Sequence, residues 1–289
     1  MSIFEESYLE HDSCKFHTFT YTESPKVNYR GVVIIVHGWS EHILMYKDTA
    51  KVLSSMGFHC FAYDQRECGK TKGKYTNSEC YIDDLDFMVN CILEKKSKGQ
   101  KVHLLGHSMG GAVVLDYLQK GKCRNNIAAV IASGPYIRHN PKTAPSMLVT
   151  LLLDIIAYIF PSFKYSEAKS LENYRKVTTN KEKQLEMFND DLCIPSSSIR
   201  IIADMFHRGK RLLNSAPTYS TNARMLILQS QNDEIVSSLA LKQFIEGLPI
   251  KCKKIVMFEN SGHSLLLEKE STVKEAFAII DDFLKDNTI

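Results

Sequence analysis

The sequence holds no Cys-x-x-Cys pair, no Asn-x-Ser/Thr sequon and no apolar run long enough to cross a bilayer. Eight scattered cysteines without histidines at metal spacing exclude the common zinc modules, and the several that fall in expected strands or helices read as buried free thiols. Met1 to His11 is polar and acidic, which argues against a secretory leader. These features together predict a reducing, intracellular and cytoplasmic setting. The net charge is only +3, and no long basic block stands out, so nothing points to nucleic acid. With 44% hydrophobic and 24% charged residues over 289 positions, the chain has the composition of an ordinary globular protein with a sizeable core.

The richest stretch is Leu104 to Gly111, which contains Gly106-His107-Ser108-Met109-Gly110. The apolar run Val102 to Leu105 precedes it and the helix-compatible run Ala112 to Gln119 follows, so it reads strand, sharp turn, helix. A serine hydroxyl is a weak nucleophile and must stand where a base can reach it. The turn that holds it there is crowded, and glycine at 106 and 110 leaves room where a Cβ would clash.

Around this turn, strands and helices alternate. Phe16 to Tyr21 reads as an opening strand and Thr22 to Tyr29, with Pro25, as a turn-rich connection. Gly31 to Val36 is a continuous β-branched run suited to a strand buried on both faces. A helix follows from about Tyr46 to Met56. Then come the strand Phe58 to Tyr63, a helix from Tyr81 to Lys95 and a strand from Ile127 to Ala132. The run Glu94 to Lys98 reads as a solvated helix end. The rhythm stops between Tyr136 and about Thr221, where the pattern is helical without a clear strand. It resumes with the strands Arg224 to Gln229 and Lys254 to Phe258 and the helices Leu239 to Gly247 and Ser271 to Leu284. The expectation is one α/β domain over 1–289: a mostly parallel sheet flanked by helices, with a helical cap inserted at 136–221 over the carboxyl ends of the strands.

A serine nucleophile needs a base and an orienting carboxylate. His139 and His207 lie in the insertion, whereas His263 follows the last strand, at the sheet edge where the serine turn also emerges. His263 is the expected base. Asp233 ends the preceding strand and is the expected carboxylate; its neighbour Glu234 is the alternative, since only one of the two can face His263, and Asp116, two helical turns beyond the serine, is expected to point away. The order Ser108, Asp233, His263 is that of the α/β-hydrolase fold. The oxyanion hole needs two N–H donors. Met109, next to the nucleophile, supplies one, and Trp39, in the loop after Gly31 to Val36, is the best second candidate. This chemistry needs no metal and no cofactor. Gly69-Lys70-Thr71 looks like the end of a phosphate-binding loop, but residue 64, where that pattern needs glycine, is Asp64.

His37-Gly38-x-x-Glu41-His42, Asp64-Gln65-Arg66, Gly106-His107-Ser108-Met109-Gly110-Gly111, Ser133-Gly134-Pro135 and the late Asp233 and His263 resemble the monoacylglycerol lipases over residues 15 to 285. The resemblance implies hydrolysis of a monoacylglycerol to glycerol and fatty acid. It implies a lid-like cap whose apolar face meets membranes or lipid droplets, and an acyl tunnel beneath it. Glu41 would shape the polar end that holds the glycerol. Two departures stand out. Glu67 occupies a place where that loop usually has glycine, and Met45 a place where some members carry arginine near the glycerol end. A lysophospholipase, a general carboxylesterase and a non-catalytic hydrolase-fold lipid binder are the competing readings.

Met147 to Phe160 is the most apolar stretch and is interrupted by Asp154. Three roles compete: a packed cap helix, a lid that opens to a lipid surface, or an interfacial anchor. Leu171 to Phe188 reads as one outer cap helix. Cys193 and Met205, late in the insertion, are candidates for the tunnel wall, although core packing is the commoner role for both residue types.

Overall fold

Gly31–Val36 (β3) is buried at every position, as are Val102–His107 (β5) and Arg224–Ser230 (β9). Strands buried on both faces need helices on both faces, which a parallel sheet supplies through its crossovers. The computed structural model describes residues 3–22, 28–95 and 101–285. The turn around Pro25 and the end of the run from Glu94 to Lys98 lie outside them. In chain order the remaining strands are Ile3–His11 (β1), Cys14–Thr22 (β2), Phe58–Tyr63 (β4), Ile127–Ser133 (β6), Lys164–Ser166 (β7), Ser196–Ser198 (β8) and Lys253–Phe258 (β10). Eight strands form one sheet in the order β1-β2-β4-β3-β5-β6-β9-β10. From β4 to β10 every pairing is parallel, and β1 and β2 close one edge antiparallel. The fold is an α/β hydrolase.

The helices are Lys47–Ser55 (α1), Cys80–Lys95 (α2), Ser108–Lys120 (α3), Met147–Ile159 (α4), Leu171–Val177 (α5), Lys181–Asn189 (α6), Ile199–Ser215 (α7), Ser238–Gly247 (α8) and Glu270–Lys285 (α9). Alternate residues of β3 face opposite cores. Val32, Ile34 and Val36 pack with α2, α3, α7 and α8, whereas Val33 and Ile35 pack with α1 and α9. In α3 every residue from Met109 to Leu118 is buried, so its one acid needs partners. Asp116 finds them in Arg208 at 3.3 Å and Arg211 at 2.9 Å on α7.

Three features depart from the sequence expectation. The chain opens with β1, a strand not foreseen, joined to β2 by Asp12 and Ser13, both with positive φ. The charged side chains of β1 suit an edge and hide its pattern. The insertion contains strands: β7 and β8 pair antiparallel as a short ribbon. The expected single helix over Leu171 to Phe188 is two, because Thr178 and Thr179 turn away to bond Leu267 and Glu268, and Asn180 caps α6.

The insertion lies between β6 and β9. Of α4 only Ala157 is buried, against Ile199 and Ala203 of α7. Met147, Leu148, Leu151, Leu152, Ile155 and Tyr158 are exposed. Among the described residues no helix is long and apolar enough to cross a membrane.

Candidate active site

The carboxyl ends of β3, β5, β9 and β10 finish side by side, and each delivers one candidate group. Ser108 turns out of β5 into α3 with φ +51°, a left-handed conformation that a residue with a side chain adopts only when its surroundings impose it. The two glycines make room for it. A Cβ on Gly106 would stand 2.5 Å from the Gly110 carbonyl, and one on Gly110 would stand 2.2 Å from the Val36 carbonyl. Backbone cannot yield there, so only glycine lets α3 close against β5 and β3.

Asp233 and His263 meet across the β9 and β10 loops, with His263 Nδ1 2.7 Å from Asp233 Oδ2. A carboxylate oxygen only accepts, so Nδ1 carries the hydrogen and Nε2 is left as the basic atom. That Nε2 is buried and has no hydrogen-bond partner among the described residues. Asp233 is fixed by the Ile235 and Val236 N–H groups at 2.8 and 2.9 Å on Oδ1 and by the Gln229 amide on Oδ2. Burial pushes the Asp233 carboxyl up, but His263 and those N–H donors outweigh it and hold the group below the usual carboxylate range. Burial likewise pulls the His263 imidazole down, yet Asp233 outweighs it and raises the base above its ordinary value. Glu234 is half-exposed and pairs with Arg175 instead.

The two candidate oxyanion donors flank the serine. Met109 is the second residue of α3, so its N–H has no intrahelical acceptor. Trp39 N–H has no protein acceptor among the described residues, while the Gly38 N–H beside it donates to Glu41 Oε2 at 2.6 Å. Tyr46 donates to the same oxygen at 2.6 Å. Glu41 therefore braces the oxyanion loop from within the protein, a role its spacing did not reveal. The Asp64-Gln65 pair supports the loop from below. Gln65 bonds the His37 carbonyl at 2.7 Å, and Asp64 accepts the Ile43 N–H at 2.7 Å.

His107, which beside the serine reads from the sequence as a structural residue, has such work here. Its Nδ1 faces the Ser133 carbonyl at 2.9 Å and its Nε2 takes the Ser264 hydroxyl at 2.7 Å. Burial lowers its pKa, so it stays neutral and ties β5 to the loop of His263. The cap grips that loop too. His263 N–H donates to the Lys176 carbonyl and Ser264 N–H to the Val177 carbonyl, at the end of α5.

Ser108, His263, Trp39 and Glu41 line one cavity of about 440 Å³, walled by Val149, Leu153, Val177, Ile202, Met205 and Phe206 from the insertion. Met205 stands where a tunnel wall was expected. Met45 and Cys193 do not line it: their sulfurs touch each other at 3.4 Å behind Tyr174 and Met187, which do. Burial pushes the Cys193 thiol up to about 12. Cys193 also lies with His42 and Asp190, the one trio of potential metal ligands among the described residues. His42 and Asp190 already bond each other at 2.8 Å.

A serine on a strand-to-helix turn, an imidazole with a free nitrogen, an oriented carboxylate and two uncommitted N–H donors beside a mostly apolar cavity are the parts that acyl transfer to water needs. Residues 27–270 match the family described as serine aminopeptidase, S33. The chain is 27% identical to the monoglyceride lipase of Saccharomyces cerevisiae, over 98% of this chain and 94% of that one. It is 29% identical to a putative monoglyceride lipase of Schizosaccharomyces pombe, over 84% of this chain and 64% of that one. The crystal structure of a soluble variant of the Saccharomyces cerevisiae monoglyceride lipase, in complex with a substrate analog, aligns with a TM-score of 0.90. The two are 26% identical, and the alignment covers 99% of this chain and 96% of that one.

Proposed function

This chain belongs to the serine aminopeptidase, S33, family, and from that premise we propose that it hydrolyses monoacylglycerols to fatty acid and glycerol. It is a carboxylic ester hydrolase. The observation that carries the substrate assignment is the cavity of about 440 Å³, where Val149, Leu153, Ile202, Met205 and Phe206 of the insertion form an apolar wall facing Ser108, His263 and Glu41, with Glu167, Lys169 and Lys176 also on its lining. One acyl chain fits such a space, and a glyceryl ester carbonyl fits its polar end. The names of the relatives point to the same substrate.

In the proposed reaction Ser108 Oγ attacks the ester carbonyl and His263 Nε2 takes its proton. Asp233 holds the imidazole and stabilises it when charged. The Trp39 and Met109 N–H groups receive the oxyanion. Glycerol leaves with the proton from His263, and a water activated by the same nitrogen then frees the fatty acid. Glu41, whose Oε2 is taken by Gly38 and Tyr46, acts on the glycerol end through the loop it braces.

The substrate reaches the site from a lipid surface in this reading. The outward face of α4 offers Met147, Leu148, Leu151 and Leu152 to a membrane or lipid droplet beside the cavity mouth, in an intracellular setting.

Fatty-acid release from a panel of mono-, di- and triacylglycerols and lysophospholipids, compared between wild type and Ser108→Ala, tests the proposal. Turnover of monoacylglycerol that the substitution abolishes is the expected result. Preference for lysophospholipids or short esters would move the substrate and keep the mechanism. Failure of a fluorophosphonate to label Ser108 would leave a lipid-binding protein.

A further inference from the structure

The loop that carries the second oxyanion donor is not self-supporting. Ser40, the residue after Trp39, has φ +64°, and its hydroxyl is buried with no hydrogen-bond partner among the described residues. Such backbone holds only when its surroundings fix it. On one side Glu41 fixes it through the Gly38 N–H. On the other side the fixing group belongs to the insertion: the Trp39 indole Nε1 donates to Ser197 Oγ at 2.9 Å. Ser197 is the middle residue of β8, and its pairing partner on β7 is Tyr165, whose ring lies 6.3 Å from that of Trp39.

The ribbon is in turn fastened to the body of the protein by Glu67. Lys164 and Ser198 are register partners across the ribbon. Both donate to the same oxygen, Glu67 Oε2, through Lys164 Nζ at 2.6 Å and the Ser198 N–H at 3.1 Å. Glu67 Oε1 takes the Tyr75 N–H at 3.1 Å. Glu67 is itself left-handed, with φ +63°, so this chain places a long acidic side chain where glycine would be the relaxed choice. Burial pushes its carboxyl up, but Lys164 and the Tyr75 and Ser198 N–H groups outweigh that and keep it ionised. A cavity of about 50 Å³ lined by Trp39, Glu67 and Ser197 separates the two fastenings.

We infer that Ser197 and Glu67 are positioning residues that couple the cap ribbon to the oxyanion hole: with the ribbon seated, the Trp39 indole is anchored and its backbone N–H is aimed at the developing oxyanion. The inference rests on the acyl-transfer reading above. It makes the insertion part of the catalytic machinery's support as well as the wall of the acyl cavity. A donor displaced by a fraction of an ångström loses most of its value in the transition state and little in the ground state.

The test uses the full chain and a soluble short-chain p-nitrophenyl ester, so that adsorption to lipid plays no part. Ser197→Ala is expected to lower kcat about tenfold with KM within about twofold, a split that marks loss of transition-state binding alone. Ser197→Thr, which keeps the hydroxyl, is expected to restore it. Glu67→Gln keeps one acceptor and loses the ion pair, and its expected loss in kcat is a few-fold. Trp39→Phe retains the backbone N–H and removes the indole donor, so it should match Ser197→Ala, and the double variant should lose no more than either alone. Thermal melting run in parallel separates these losses from unfolding, and Trp39→Phe carries the test if Ser197→Ala does not fold. Unchanged kcat in a folded Ser197→Ala or Trp39→Phe, a rise in KM alone, or additive losses in the double variant would overturn the inference. A wild type that fluorophosphonate fails to label would overturn the reaction and this inference with it. A labelled wild type whose kcat is indifferent to Ser197 would overturn this inference alone.

Discussion

Glu41→Gln isolates a charge that the active site keeps for itself. One oxygen of Glu41 accepts both the Gly38 N–H and the Tyr46 hydroxyl at 2.6 Å. Hydrogen bonds to a charged acceptor are worth about 1.5–3 kcal/mol and neutral ones about 0.5–1.5, so each bond should lose about 1 kcal/mol. The amide nitrogen would replace Oε1, which lies 3.4 Å from His107 Nε2. His107 Nε2 already accepts the Ser264 hydroxyl, so the new amide N–H must share that one acceptor and adds no bond of its own. The net expectation is about 2 kcal/mol of lost stability, or a fall of about 3–4 °C in Tm for a chain of 289 residues. The same charge helps raise the pKa of His263. The base works only when neutral, so activity falls as the pH drops through its pKa. Removing Glu41's charge lowers that pKa and moves the acid limb of kcat/KM to lower pH. Differential scanning calorimetry and a kcat/KM profile from about pH 5 to 9 check both expectations. An unchanged Tm with an unmoved acid limb, or a limb displaced to higher pH, would refute the account of Glu41 as an internal brace.

Asp233→Asn should lower kcat by about 10⁴, because an amide no longer dictates the imidazole tautomer. Its effect on acid stability has a definite sign. The depressed carboxyl stabilises the fold above its unfolded pKa of about 4, and that stability is lost as pH falls toward the lower folded value, so the variant's Tm should fall less over that range than the wild type's. Met205→Phe adds bulk to the cavity wall and should shift turnover toward shorter acyl chains across a series of monoacylglycerols; an unchanged preference would place the chain elsewhere. Leu148→Asp with Leu152→Asp should weaken co-sedimentation with lipid vesicles and leave kcat on a soluble ester unchanged, since both side chains point outward from α4.

The residues that the chemistry constrains by type and order were readable from the chain. A serine turn, a carboxylate and a histidine each had to end a strand, and the β-branched runs marked the strands. The parallel sheet followed from the same runs. What stayed hidden depends on contacts between distant segments. β1 is an edge strand whose charges erase the alternation that marks a buried one. Thr178 and Thr179 leave a helical pattern because Leu267 and Glu268, about 90 positions away, offer better partners. The β-branched pair followed by Asn180 was the only local sign. Glu41 sits three residues from Gly38, a spacing that suits a turn, but nothing local says that Tyr46 shares its oxygen. Met45 and Cys193 were expected at the substrate and stand against each other, since two soft sulfurs 148 positions apart fill one gap better than either alone.

The two bonds from the His263 loop to the end of α5 have a consequence for how this chain can be cut. The backbone of the proposed base donates to Lys176 and that of its neighbour to Val177. Excising residues 136–221 would take away the acceptors of the loop that holds the imidazole. A trimmed chain could keep its sheet and still lose the geometry of its proton-transfer step. In building terms the insertion is a keystone rather than a roof, and hydrolases of other specificity cannot be made from this scaffold by exchanging the cap unless the new piece brings those two carbonyls with it.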